Sequence, residues 1–189
     1  MKKPILILIS LLLLTGVSES KEVSYLHERN GIKYEVNSEE PFSGTHIEYD
    51  ENGQRRTTYR NGKPKGLFTT WFKNGHRQKE YEGYLNNRNR EGLWTWWYEN
   101  GQKREEIDYR NSKKEGLSIV WYENGQKEYE GNFIDGKKEG LWTYWYKKNG
   151  QKKFEGNLID GKKEGLCTWW DKEGNVTETE IYKDDELVD

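Results

Sequence analysis

A Gly-Leu phrase recurs through this chain at a nearly fixed interval, and no other feature restricts the fold so tightly. Its glycines are Gly66, Gly92, Gly116, Gly140 and Gly165, with a degenerate earlier copy at Gly44; the steps run from 22 to 26 residues. Self-similarity at such a period marks a repeat architecture, in which each unit buries its apolar face only against its neighbours. A second mark, Asn-Gly or a close variant, falls at 52–53, 74–75, 100–101, 124–125, 149–150 and 173–174. A third separates the units: Arg60-Asn61-Gly62-Lys63, Asn111-Ser112-Lys113-Lys114, Asp135-Gly136-Lys137-Lys138 and Asp160-Gly161-Lys162-Lys163.

Asn and Gly accept the positive φ that two-residue hairpin turns require, so each unit reads as strand, turn, strand, turn. The segments between turns are short and rich in Trp, Tyr and Thr, as strands are. The expected fold is all-β: an elongated antiparallel β-hairpin repeat, forming a single sheet of about a dozen strands. The expected layout is a signal peptide at 1–20, an N-terminal capping hairpin within 21–43, tandem repeats over 44–174, and a C-terminal capping strand and tail at 175–189.

Composition enters because the chain is 34% charged and its mean hydropathy is −1.20. So polar a chain would ordinarily stay disordered. Aromatics at 14% argue otherwise, since Trp and Tyr each bury a large area. The fold should therefore be held by aromatic contacts. A net charge of −2 gives no basic footprint for nucleic acid. The single Cys167 excludes an internal disulfide. Lys2 and Lys3, the apolar run at 4–14 and the small residues Ser18 and Ser20 read as a cleaved secretory leader, with a retained anchor as the alternative. That leader predicts an extracytoplasmic location, periplasmic or secreted. Membrane association is compatible with it, but integral insertion after cleavage is not.

Counting from each Gly exposes two sets of positions. Positions one, three and five hold Leu67, Leu93, Leu117, Leu141 and Leu166, then Thr or Ile, then Trp71, Trp97, Trp121, Trp145 and Trp170. Alternation along a strand puts them on one face, and their uniformity suggests an internal stacking ladder. Positions two, four and six vary yet remain aromatic. Candidate ligand or partner contacts are therefore Trp94, Trp96, Tyr98, Tyr122, Trp142, Tyr144, Tyr146 and Trp169.

Tyr81-Glu82-Gly83, Tyr129-Glu130-Gly131 and Phe154-Glu155-Gly156, with the Asn-Gly-Lys and Asp-Gly-Lys turns, resemble the MORN repeat family in its bacterial variant form. The resemblance covers about residues 40–180. It departs from the commoner form by placing Glu-Gly where that form has His-Gly, and residues 105–113 lack the Tyr-Glu-Gly phrase. It implies a rod of hairpins used for scaffolding, protein binding or membrane association. Some relatives are labelled antitoxins; the leader argues against neutralising a cytoplasmic toxin, so that role ranks below the others.

No phosphate loop, zinc-ligand spacing or Ser/His/Asp arrangement is present, so no catalytic residue, metal or cofactor is expected and the chain reads as non-enzymatic. His27, His46 and His76 lie in separate units and read as surface residues. Cys167 takes the slot of Trp94 and Trp142 and reads as a packing substitution. The Lys-Lys-Glu runs at 113–115, 137–139 and 162–164 read as solvated turns. A basic column (Arg55, Arg77, Lys103, Lys127, Lys152) beside Glu82, Glu106, Glu130 and Glu155 suggests cross-strand charge pairing. Two functions fit: a scaffold contacting a protein or envelope component through its aromatic face, or a module binding carbohydrate or cell wall.

Overall fold

The computed structural model describes residues 21–50, 53–73 and 78–188. The expected leader, Asn52, the turn at 74–75, His76 and Arg77 lie outside the described residues.

Every described element is a strand. Near the N-terminus come β1 (Glu22–Val23), β2 (His27–Arg29) and β3 (Ile32–Tyr34). The long strands are β4 (Gly44–Asp50), β5 (Gly53–Arg60), β6 (Lys63–Phe72), β7 (Lys79–Asn86), β8 (Asn89–Trp97) and β9 (Lys103–Arg110). They continue as β10 (Lys113–Trp121), β11 (Lys127–Ile134), β12 (Lys137–Trp145), β13 (Lys152–Ile159), β14 (Lys162–Trp170) and β15 (Val176–Lys183), ending in β16 (Glu186–Leu187). From β4 to β16 each strand pairs antiparallel with the next in sequence, and β1 adds in parallel beside β4, giving one open 14-stranded sheet. The hairpin β2–β3 forms its own two-stranded sheet. It lies over the turn at Asn61 and Gly62, where the Lys33 amide donates to the Gly62 carbonyl at 2.9 Å.

The turns follow from their residues. At Asp135-Gly136 both φ values are positive, 52° and 85°, as a two-residue hairpin of the mirror-image type needs. From β5 to β15, two bulges per unit set which side chains share a face. One is the Glu-Gly-Leu phrase: Lys114 faces Tyr109 and Ser118 faces Ile107, so two extra residues are accommodated, with Gly116 at φ 81°. The other follows the Asn-Gly turn. Tyr129 faces Val120 while Lys127 faces Trp121, which inserts Glu128 and brings Lys127 and Glu130 onto one face.

The interior lies on the face of positions two and four, which reverses the expected assignment. Trp94 is 2% exposed, Trp142 0% and Ile107 0%, whereas Leu93 and Leu141 are each 53% exposed. The main core joins Trp94, Trp96, Ile107, Tyr109, Phe133, Trp142 and Leu158, flanked by Phe68, Tyr81, Leu85, Tyr129 and Tyr144. A smaller cluster of Leu26, Phe42 and Tyr59 ties the N-terminal segment to the sheet.

The reason is visible in the row crossing the strands at position two. Phe68 faces Gly83, Trp94 faces Ile107, Ser118 faces Ile107 and Gly131, and Gly156 lies between Trp142 and Cys167. A single-layer sheet has no second layer to fill its interior, so its large side chains lie flat over small neighbours. A Cβ on Gly83 would sit 2.2 Å from the Trp94 ring, and one on Gly131 would sit 2.3 Å from the Trp142 ring. The Gly of Tyr-Glu-Gly is therefore the floor beneath an indole. In the unit lacking that phrase, Ile107 replaces the Gly and Ser118 replaces the Trp, conserving the fit. Cys167 is buried over Gly156 in the same slot.

Candidate functional site

Both faces are patterned, and they do different things. On the outer face, Leu, Thr and Trp of the even-numbered strands alternate with Lys and Glu of the odd-numbered ones. Lys79–Glu82 (2.7 Å), Lys103–Glu106 (2.5 Å), Lys127–Glu130 (2.5 Å) and Lys152–Glu155 (2.5 Å) are ion pairs within a strand. The bulge makes this possible, so Lys103, Lys127 and Lys152 pair within their strands, whereas Arg55, where no bulge intervenes, pairs across strands with Glu48 at 2.8 Å. Each lysine also lies over the next unit's indole: Lys103 over Trp121 at 5.9 Å, Lys127 over Trp145 at 5.5 Å and Lys152 over Trp170 at 5.6 Å. Thr69 and Thr143 are buried in this layer and donate to Glu82 (2.9 Å) and Glu155 (3.3 Å).

The apolar side chains left uncovered on that face are mainly aliphatic, set between exposed Asp108, Asn132 and Asn157. Leu67, Leu93, Leu117, Leu141 and Leu166 form a half-exposed row, extended by Ile181 opposite Leu166 and flanked by exposed Ile134 and Ile159. At its N-terminal end, Tyr84, Leu85 and Leu93 help line a shallow cavity of about 530 Å³. Adjacent leucines of the row are two strands apart, about 10 Å at the usual spacing between neighbouring strands.

The residues nominated as contacts fall into three places. Trp94, Trp96 and Trp142 are interior side chains. Tyr98, Tyr122 and Tyr146 are half-buried and join successive units: their hydroxyls donate to the carbonyls of Trp121 (2.7 Å), Trp145 (3.0 Å) and Trp170 (2.8 Å). Burial first, and then the charge of Glu128, pushes the phenols of Tyr98 and Tyr122 up. Tyr144 and Trp169 are half-buried at the margin of the interior, with Lys138 Nζ 5.4 Å from the Tyr144 ring and Lys163 Nζ 5.6 Å from the Trp169 ring. The eight side chains do not form one open groove.

The Lys-Lys-Glu runs also differ from their expected role as solvated turns. Their first lysines pair with the next turn, as Lys113–Asp135 (3.1 Å) and Lys137–Asp160 (3.0 Å). Their second lysines cover the aromatic interior: Lys114 lies over Phe133 at 5.0 Å and Lys138 over Trp142 at 4.4 Å. Their glutamates accept from the next turn's amide, Glu115 from Asp135 and Glu139 from Asp160, both at 3.0 Å. His27 and His46 are half-buried, and burial lowers the His46 pKa. Burial likewise raises that of Cys167. Among the described residues no group of three His, Cys, Asp or Glu side chains could hold a metal ion, and no helix is long and apolar enough to cross a membrane.

These features define a class: an open single-sheet array of stapled β-hairpin units, with an aromatic interior and a patterned outer face. The pattern of the MORN repeat variant matches residues 90–111, 114–135 and 163–184, so the chain carries tandem MORN variant repeats. Each match begins at the second residue of β8, β10 or β14, runs through the following strand and ends on the first residue of the next turn, Asn111, Asp135 or Asp184. Comparison with curated proteins finds no match. MORN repeats are generally non-catalytic modules that serve interaction or binding.

Proposed function

We propose that this protein is a non-enzymatic, extracytoplasmic scaffold that binds a protein or envelope component through its outer face. The observation that carries the reading is the half-exposed row of leucines. The leucines alternate with exposed Asp108, Asn132 and Asn157 on the intervening strands, and exposed apolar side chains repeated at this spacing suit a contact site better than an idle surface. The ion-paired lysines and glutamates beside the row would supply a polar rim, and the 24-residue step from Leu93 to Leu117 and from Leu117 to Leu141 would suit an extended partner. The leader-like segment at 1–20 supports the compartment.

The second reading, carbohydrate or cell-wall binding, would use the fifth-position indoles on the same face. Their rings carry lysines on one side, which leaves less open surface for sugar stacking and favours a protein partner. The triple variant Leu93→Asp/Leu117→Asp/Leu141→Asp should stay folded and lose capture from an envelope protein extract. Full retention of capture by the folded variant would overturn the assignment. Retention on isolated cell wall by the unaltered protein, without protein capture, would select the second reading.

A further inference from the structure

The basic residue preceding each Glu-Gly phrase, Arg90, Lys114, Lys138 or Lys163, projects onto the aromatic face. Its environment is not the same in each unit. Lys114 is neutralised by Glu105 at 3.3 Å, and Lys138 donates to the Tyr144 hydroxyl at 2.6 Å. Among the described residues Arg90, like Lys138, has no such carboxylate, but it alone of the four carries a planar guanidinium. In β7 the position matching Glu105 is Tyr81, and no ion pair of Arg90 is found among the described residues.

The Arg90 guanidinium is instead held over three rings, 4.7 Å from Trp94, 5.2 Å from Trp96 and 5.3 Å from Tyr109. One N–H donates to the Tyr109 hydroxyl at 3.3 Å. A guanidinium has five N–H donors in a fixed plane that fits a carboxylate two-pronged. Here three rings and one hydroxyl contact hold the group in place.

Beside it is a cavity of about 330 Å³, lined by Phe68, Tyr81, Leu85, Trp94, Ser112 and the two arginines Arg88 and Arg90. It is an open depression in which the two arginines and Ser112 stand beside aromatic and aliphatic side chains. Arg88 is reached only distantly by Glu28, at 3.7 Å. A depression near the small end of the usual ligand range of roughly 300–1,000 Å³, with cationic groups beside aromatic ones, suits a small anionic molecule.

We propose that this cavity is a binding site for a small carboxylic acid carried on a planar or apolar body. The carboxylate pairs with Arg90, assisted by Arg88, and the body lies against Phe68, Tyr81 and Leu85. The site is on the opposite face from the leucine row and does not depend on those leucines; Leu85 borders both depressions.

Phenylacetate is a suitable probe, with its uncharged amide, phenylacetamide, as the control. Titration followed by tryptophan fluorescence and calorimetry should show saturable binding of phenylacetate, with phenylacetamide weaker by about tenfold or more, as loss of a charge-assisted pair requires. Arg90→Gln should weaken phenylacetate to a similar degree, Arg88→Gln should weaken it less, and Lys138→Gln should leave it unchanged. The acid–amide comparison uses the unaltered protein, so it stands even where Arg90→Gln fails to fold. No saturable binding of the acid, equal binding of acid and amide, or an equal loss in Lys138→Gln would each overturn the proposal.

Discussion

At the scale of single residues, the governing relation is between a glycine and the indole above it. Gly131 is not in the left-handed region; it is needed because a Cβ there would meet the Trp142 ring at 2.3 Å. Gly140 is the converse case, with φ 73° and nothing within 4 Å of its would-be Cβ. The unit containing Ile107 and Ser118 shows that the first relation can be exchanged as a pair. Gly131→Ala should therefore destabilise strongly by itself, Trp142→Ser should do so through its cavity, and the double variant should lose less than the sum. Chemical denaturation in a double-mutant cycle measures this, and strict additivity would show that the two residues do not share space.

Tyr129 offers a second residue-scale test. Burial, reinforced by Glu105, pushes its phenol up to about 12 from an ordinary 10.0. Between these values the folded chain keeps a proton that the unfolded chain releases. The stability tied to Tyr129 is thus present below pH 10.0 and lost as pH rises towards about 12. Tyr129→Phe should flatten the alkaline fall in the urea midpoint; an unchanged fall would remove Tyr129 from the account.

At the scale of elements, the hairpins are joined at both ends by groups that recur one unit later. Tyr122 reaches the carbonyl of Trp145, and the Asn124 side-chain amide reaches that of Lys147 at 2.8 Å. At the opposite strand ends Glu115 holds the Asp135 amide. Tyr122→Phe removes one such bond and should cost about 0.5–1.5 kcal/mol, measured by thermal or urea unfolding; no loss would mean the bond is replaced by water.

The strands and turns of these elements were legible from the Asn-Gly and Asp-Gly pairs, and the repeat phase from the Gly-Leu phrase. Which face turned inward was not. The Leu/Thr/Trp columns looked internal because they were uniform, whereas a single-layer interior selects complementary neighbours across strands. The signal was present in Gly83, Gly131 and the Ile107/Ser118 exchange, but register was needed to see that these residues adjoin the indoles. The within-strand Lys–Glu pairs were hidden for a related reason: a bulge of one residue changes which side chains share a face. Of the candidate site, the aromatic positions could be named from sequence, but their division into interior, staple and margin could not.

At the scale of the whole molecule, the fold is an open sheet that ends in two-residue strands, β1 and β16. Strands so short limit further edge-to-edge pairing. The faces then divide the work, with the interior on one side and an uncovered leucine row on the other. That division is the central claim, and adjacent residues in one strand test it directly. Trp142→Ala should lose about 3–5 kcal/mol, the usual cost of deleting a buried large aromatic. Leu141→Ala, on the outer face, should lose less than about 1 kcal/mol, as an unburied substitution does. Urea unfolding of the two variants side by side gives the answer. A large loss for Leu141→Ala with little for Trp142→Ala would show that the faces are the other way round.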